Sequence, residues 1–263
     1  MSLLVINDLT ITDTRTHTVL VNNLSFELSL GKVLGIIGES GSGKSLTCKA
    51  ILGLNPAWLK CSGSVLFDGN ELLGASESVL RQVRGKKIAM VLQDAMSAFD
   101  PLYRLGEQMV ESLGECMETQ KAKNVSLEGL FQMGLKEPEV VFQSYAHQLS
   151  GGMLQRVMIA LALAQETRII IADEPTSALD VIHQRQIIDI FASIRDAKRS
   201  LIFVSHDLGI VSYLADDMLV MKEGKGLEYG SAQKLFSAPE HDYTRYLIQT
   251  HRTLSQRFTQ CFA

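Results

Sequence analysis

The sequence lacks the features that indicate a metal–thiolate or secreted protein. Its four cysteines, Cys48, Cys61, Cys116 and Cys261, form no C-x-x-C pair, so zinc-ribbon, thioredoxin-like and iron–sulfur interpretations have no support. Scattered cysteines suit a reducing, cytosolic compartment. The N-terminus has no basic region, and Asp8 interrupts its apolar run. We therefore predict that it is not a secretory signal.

Long apolar runs and an excess of positive charge are also missing. No apolar stretch approaches the roughly 20 residues that span a bilayer, so a membrane role would require a partner. The 263 residues include 25 Lys and Arg against 29 Asp and Glu, a net charge of −4. Because phosphate neutralisation needs positive charge, we expect no nucleic-acid partner. The 46% hydrophobic and 21% charged content is typical of a folded globular protein.

Short apolar runs alternate with helical patterns along most of the chain. Helical spacing is found at Lys44–Leu54 and His183–Lys198. The alternation predicts an α/β fold with a mainly parallel core sheet. The five runs with the length of strands buried on both faces are Val33–Ile37, Ile88–Leu92, Ile169–Ala172, Leu201–Val204 and Met218–Met221.

Two regions interrupt this alternation. In residues 1–30, Leu3–Ile6 and Leu24–Leu28 read as strands around the polar loop Thr12–Thr18, which predicts an N-terminal antiparallel β region. Residues 94–165 show helical patterns and no convincing strand, which predicts an inserted α-helical subdomain. The predicted organisation is therefore an α/β core (1–93 and 166–230), a helical subdomain (94–165) and a short helical tail (231–263).

A glycine-rich segment between a predicted strand and a predicted helix matches G-x-x-x-x-G-K-[ST] in full. Its glycines let backbone N–H groups turn inward toward phosphate oxygens, and the next helix presents its positive end to the same anion. The lysine adds charge at the β/γ-phosphates, and the following serine hydroxyl reaches Mg²⁺. The predicted nucleotide-binding residues are Gly38, Glu39, Ser40, Gly41, Ser42, Gly43, Lys44, Ser45 and Leu46.

Polar residues follow three of the predicted strands and supply candidate hydrolytic groups. Asp173 ends one strand and is predicted to hold Mg²⁺, as the strand-end Asp does in P-loop NTPases. Glu174 is then placed to polarise the attacking water. His206 follows the next strand and could contact the γ-phosphate, and Gln93 is a candidate for contacting Mg²⁺ or the water. Ser45, Gln93 and Asp173 are thus the predicted Mg²⁺ contacts.

A second anion site is predicted where Leu149-Ser150-Gly151-Gly152-Met153 opens an apolar helix. The ordered motifs Gly38–Ser45, Gln93, Leu149–Met153, Ile169–Glu174 and His206 resemble those of ATP-binding cassette (ABC) ATPases. The resemblance implies a P-loop ABC ATPase fold and a head-to-tail dimer that binds ATP and Mg²⁺. It also implies that Ser150, Gly151, Gly152 and Met153 contact the ATP of the partner subunit, and that Ser177–Asp180 is the D-loop, with Asp180 its acidic residue.

Two positions depart from the family pattern. The signature usually ends in Gln, where this chain has Met153. The family usually has an adenine-stacking aromatic near residue 15, whereas residues 13–17 contain no Phe, Tyr or Trp. Arg15 and His17 are alternative stacking planes.

Residues 94–101 and 239–247 resemble the peptide/nickel importer group. The short tail, Ser45–Cys48 and Ser150–Arg156 most resemble its nickel or metal–metallophore branch. His241 and Tyr243 in the second segment also fit a solvated turn and a packed aromatic. The resemblance implies the ATP-hydrolysing motor subunit of a bacterial importer. The alternatives are a di- or oligopeptide importer and, less favoured, a soluble ABC ATPase outside transport.

The resemblance also implies partners and a location. The expected partners are a second ATPase subunit (a paralogue or a second copy), two membrane permease subunits and, indirectly, an extracytoplasmic substrate-binding protein. The expected location is peripheral, on the cytoplasmic face of the bacterial plasma membrane. Phe99, Pro101 and Tyr103 are candidates for contacting the permease, and ordinary loop packing is an equal alternative.

Overall fold

The computed structural model describes residues 2–114, 116–194 and 198–261, with side chains as far as Thr253. The strands are β1 Ser2–Asp13, β2 Thr18–Ser29, β3 Val33–Ile37, β4 Leu59–Phe67, β5 Asn70–Glu71, β6 Ile88–Val91, β7 Ile169–Asp173, β8 Ser200–Val204, β9 Asp217–Lys222 and β10 Lys225–Ser231. The helices are α1 Lys44–Ile51, α2 Glu77–Arg81, α3 Leu105–Gly114, α4 Thr119–Gln132, α5 Pro138–Gln143, α6 Gly151–Ala164, α7 Val181–Ser193, α8 Leu208–Leu214, α9 Ala232–Ser237 and α10 Asp242–Cys261.

Contacts divide the chain into two compact units. The first unit comprises Met1–Ser76 and Ile202–Ala263, and the second comprises Glu77–Leu201. The division falls inside β8. The predicted boundaries of core, helical subdomain and tail stay a prediction.

The first unit contains an antiparallel sheet of order β2-β1-β4-β5. Strand β1 pairs with β2 as far as Asp13↔Thr18 and with β4 as far as Asp13↔Leu59. The predicted antiparallel region is therefore present. Its two strands are longer than expected, because pairing on both edges of β1 extends regular structure into the predicted loop.

The first unit also contains the strand order β10-β9-β3-β8. Strands β3 and β9 are parallel, from Leu34↔Asp217 to Ile37↔Val220, and β9 and β10 form an antiparallel hairpin. All five residues of β3 are buried, as expected for an apolar strand covered on both faces.

The second unit pairs β6 and β7 in parallel, from Ile88↔Ile169 to Val91↔Ala172. Between these strands the described residues of 94–165 form helices and short 3-10 turns, with only an isolated bridge, Arg104↔Tyr145. The helical character of this region is therefore confirmed. Helix α7 is observed to Ser193, and residues 195–197 of the predicted helix lie outside the described residues.

The fold is α/β, with an antiparallel N-terminal sheet and mixed pairing around a parallel core. Among the described residues, no helix combines the length and the apolar character needed to cross a bilayer.

Candidate functional site

The predicted phosphate loop, residues 38–45, belongs to the first unit. Helix α1 begins at Lys44, directly after Gly43, whose φ of 97° lies in the left-handed region that favours glycine. Lys44 is 5% exposed, and its ammonium donates hydrogen bonds to the carbonyls of Gly38 and Glu39, both at 2.8 Å. The loop therefore closes around a buried cation at a helix N-terminus, a geometry suited to phosphate.

His206 lies in the same unit, one residue beyond the contact between β8 and β3. The Ser205 amide donates to the Ile36 carbonyl at 3.2 Å. Asp207 then caps α8 by accepting from the amides of Gly209 and Ile210. These contacts fix the backbone on both sides of His206, whose side chain is exposed.

The second unit brings Gln93 and Glu174 together. Asp173 ends β7 and is 1% exposed, and Glu174 follows it with a left-handed φ of 46°. Both the amide and the hydroxyl of Ser177 donate to the Glu174 carbonyl, and the Gln93 side-chain amide donates to the Glu174 carboxylate at 3.4 Å. These contacts hold the Glu174 backbone in a conformation that few non-glycine residues adopt.

The signature residues open helix α6, as predicted. The Ser150 hydroxyl accepts a hydrogen bond from the Met153 amide at 3.3 Å, an N-cap. A Cβ on Gly152 would press against the Ala178 carbonyl. Gly152 of the predicted signature therefore packs directly against Ala178 of the predicted D-loop.

Asp180, at the end of the D-loop, caps helix α7. It accepts hydrogen bonds from the amides of Ile182 and His183 and contacts the His183 ring at 2.7 Å. Hydrogen bonds from the His183 backbone and ring lower the pKa of Asp180. The carboxylate is therefore charged and oriented at neutral pH.

Arg156 is a supporting residue that the sequence analysis missed. Its guanidinium donates to the Gly152 carbonyl at 3.3 Å and to the carbonyls of Met133 and Gly134 at 3.2 Å each. Burial lowers the pKa of Arg156, against an opposing effect of Asp180. A single charged residue on a mostly apolar helix was the available signal.

Arg15 lies in the turn after β1, and its side chain is exposed to solvent. The backbone amide and guanidinium of Arg15 donate to the Asp13 carboxylate, and this lowers the pKa of Asp13 to about 2. The guanidinium also lies 4.7 Å from the centre of the Trp58 ring. Of the two candidate stacking planes, Arg15 is thus fixed by contacts on two sides. Trp58 was not recognised in the sequence because it is distant along the chain.

Residues 99–103 and the segment 239–247 each contain packed and exposed residues. Phe99 is 7% exposed, which favours loop packing, whereas Tyr103 is 57% exposed and Pro101 is also exposed. In the other segment Tyr243 is a packed aromatic at 7% exposure, and His241 lies in an exposed turn.

The predicted residues thus form two groups, each within one unit. The first unit holds residues 38–46 and His206, and the second holds Gln93, Ser150–Met153, Asp173, Glu174 and Asp180. Among the described residues, no cluster of three or more His, Cys, Asp or Glu side chains could hold a metal ion.

A phosphate loop after a buried strand and a strand-end carboxylate pair define a P-loop nucleotide hydrolase. Residues 21–177 match the family model of the ABC transporter, and the chain belongs to this family. It is an ATP-binding, ATP-hydrolysing member.

Relatives and solved structures agree with this assignment. The chain is 46% identical to the metal-staphylopine import system ATP-binding protein CntD of Staphylococcus aureus (strain NCTC 8325), over 98% of this chain and 96% of that protein. It is 41% identical to the dipeptide transport ATP-binding protein DppD of Lactococcus lactis, over 89% of this chain and 68% of that protein. The cassette MJ0796, solved as a dimer with ADP and Pi, superposes with a TM-score of 0.78 at 26% identity, covering 87% of this chain and 98% of that chain.

Proposed function

We propose that the chain is the ATP-hydrolysing motor subunit of a bacterial importer for nickel or a metal–metallophore complex. The observation that supports this substrate class is the near full-length similarity to the metal-staphylopine import protein. A di- or oligopeptide importer is the second candidate, favoured by the similarity to the dipeptide transport protein.

In this proposal residues 38–46 bind the phosphates of the chain's own ATP. Ser150, Gly151, Gly152 and Met153 contact the ATP of a second ATPase subunit, either a paralogue or another copy. The assembly includes two permease subunits, receives substrate from an extracytoplasmic binding protein and lies at the cytoplasmic face of the plasma membrane. Exposed Tyr103 and Pro101 are the proposed permease contacts within the loop after Gln93.

The side chains proposed to contact Mg²⁺ carry the oxygen ligands that this ion prefers. They are the Ser45 hydroxyl, the Asp173 carboxylate and the Gln93 amide. Mg²⁺ bound with the nucleotide would neutralise charge on the phosphates.

Glu174 is the proposed base for the attacking water. The Glu174 backbone has a left-handed φ, and its carbonyl accepts two hydrogen bonds from Ser177, which fix the direction in which the side chain leaves the backbone. The Gln93 side chain contacts the Glu174 carboxylate. A carboxylate held in this way accepts a hydrogen bond from a water molecule and orients that water for in-line attack. His206 is proposed to donate to the γ-phosphate, and Lys44 to stabilise its charge.

Arg15 is the proposed contact for adenine. Guanidinium planes stack on π systems, and one face of this guanidinium already lies against Trp58. Because Asp13 fixes its orientation, less conformational entropy is lost when a base stacks on the other face.

The substrate class is tested by uptake in cells that lack this chain. Radiolabelled nickel, with and without added metallophore, is compared with a labelled dipeptide, and the deletion is complemented with wild type or Glu174→Gln. Loss of metal uptake alone, restored only by wild type, is the expected result. Loss of peptide uptake alone would favour the second candidate, and unchanged uptake of both in a strain without a redundant transporter would contradict import.

The role of Glu174 is tested by ATP binding and steady-state phosphate release. Glu174→Gln should bind ATP as wild type does and lose about a hundredfold or more in turnover, because the water loses its base. Glu139→Gln, an exposed glutamate of α5, is the matched control and should turn over normally. Normal phosphate release by Glu174→Gln would exclude this role.

A further inference from the structure

The phosphate loop rests on the turn that joins β9 to β10. A Cβ on Gly38 would collide with the Met221 carbonyl oxygen, so the two backbones are in direct contact. The Gly224 amide donates to the Ser42 carbonyl at 3.2 Å. Any group that fixes this turn therefore also restrains the phosphate loop.

The start of helix α10 is attached to the same hairpin. The Glu228 carboxylate of β10 accepts a hydrogen bond from the Glu240 amide at 2.7 Å, and the His241 amide also donates to it. The His241 ring nitrogen Nδ1 then accepts from the Tyr243 amide at 3.1 Å. The backbone that leads into α10 is thereby held in one position on the hairpin.

Tyr243 connects this tail to the phosphate loop. Tyr243 is 7% exposed, and the Lys222 ammonium of the β9–β10 hairpin lies 4.6 Å from the centre of its ring, a cation–π contact. Its hydroxyl is buried beside Glu39, without a hydrogen bond of good geometry. Burial and the Glu39 carboxylate both raise the pKa of Tyr243, so the phenol stays neutral at physiological pH.

We propose that Tyr243 is a positioning residue for the phosphate loop: packed between Lys222 and Glu39, it holds the loop in the shape that binds ATP. The proposal rests on the proposed role of residues 38–45 as the phosphate site. A glycine-rich loop loses conformational entropy when it closes on a ligand. A tail residue that restrains the loop beforehand reduces this loss and raises nucleotide affinity.

The test is a calorimetric titration of ATP into the full chain. Tyr243→Ala should weaken ATP binding by about three- to tenfold, the scale of one partly buried cation–π contact. Tyr243→Phe should bind ATP with wild-type affinity, because it keeps the ring that contacts Lys222. Lys222→Met should weaken binding in the same direction, and its effect should not add to that of Tyr243→Ala, because both remove one interaction.

Two tail variants separate positioning from folding. Tyr246 is 62% exposed, and Tyr246→Ala should leave ATP affinity unchanged. Ile248 is 4% exposed, and Ile248→Ala should lower the thermal unfolding midpoint yet preserve affinity. If Tyr243→Ala does not fold, Lys222→Met tests the same contact with the buried ring retained.

Three results would overturn the proposal: wild-type affinity in Tyr243→Ala (or in Lys222→Met, where the former does not fold), a loss in Tyr243→Phe equal to that in Tyr243→Ala, or an equal loss in Ile248→Ala. Lys44→Ala distinguishes this failure from failure of the phosphate site itself. If Lys44→Ala binds ATP as wild type does, the proposed phosphate site is wrong. If only Lys44→Ala loses affinity, the site stands and the role of Tyr243 is wrong.

Discussion

Two helices of this chain begin at segments suited to anions, and they begin differently. Helix α1 follows Gly43, which has no side chain to cap it, and its first residue is the buried Lys44. Helix α6 follows Ser150, whose hydroxyl caps the Met153 amide, and both Ser150 and Gly151 are exposed. Both use the positive end of a helix, but only α1 begins with a charged side chain.

The difference indicates how complete each site is within one chain. At α1 the loop carbonyls already orient the Lys44 ammonium, so the site supplies a full positive charge beside the helix N-terminus. At α6 the donors are a hydroxyl and amides at an exposed end, which suits an anion presented by another molecule. This contrast agrees with the proposed exchange of signature segments between two ATPase subunits.

Removing the charge at α1 should have the largest effect. Lys44→Ala is expected to weaken ATP binding at least about tenfold, because it removes charge-assisted contacts to phosphate. Lys49→Ala, in the last turn of the same helix, is the matched control and should bind normally. Equal affinities of the two variants in a nucleotide titration would show that the Lys44 charge does not contribute to ATP binding at α1.

Adding a methyl group at either glycine of α6 should change stability by different amounts. A Cβ on Gly152 would lie 2.9 Å from the Ala178 carbonyl oxygen, whereas a Cβ on Gly151 would meet no atom within 4 Å. Gly152→Ala should therefore cost about 1–3 kcal/mol of unfolding free energy through overpacking. Gly151→Ala should be neutral or slightly stabilising. Chemical denaturation of both variants measures this difference, and equal stabilities would contradict the packing of the signature against the D-loop.

The sequence predicted the buried strands best, together with the start of helix α1 at Lys44. Strand β3 lies at the predicted residues 33–37, because a strand covered on both faces must be apolar throughout. Strand β4, Leu59–Phe67, was missed because only Val65 and Phe67 are buried and Ser62 and Gly63 are both exposed, so the sequence carries no clear period of two. Pairing with β1 completes the strand. The contacts of Arg15 with Trp58 and of Lys222 with Tyr243 could not be predicted, since they join residues far apart in the chain.

Removing the cap of α6 should have a smaller effect than crowding Gly152. Ser150→Ala leaves the Met153 amide without its side-chain acceptor and should cost about 1 kcal/mol of unfolding free energy. Ser212→Ala, at an exposed position inside α8, is the control and should be neutral or slightly stabilising. A loss in Ser150→Ala no larger than in Ser212→Ala would mean that the hydroxyl does not act as a cap.

The smallest effect is expected at Arg15, whose cationic side chain is exposed whereas that of Lys44 is buried. Lys44 is held by carbonyls, which do not titrate, whereas Arg15 is held by Asp13, whose pKa falls from 3.8 to about 2. A depressed carboxyl pKa stabilises the folded chain above the unfolded pKa, and this contribution is lost as pH falls through the folded value. Wild type should therefore be slightly more stable than Arg15→Gln near neutral pH, with the difference disappearing between pH 3.8 and about 2. Carboxyl-carbon NMR of the two proteins measures the same pair directly: Arg15→Gln should return the pKa of Asp13 toward its ordinary value, and an unchanged titration would show that Arg15 is not held by this carboxylate.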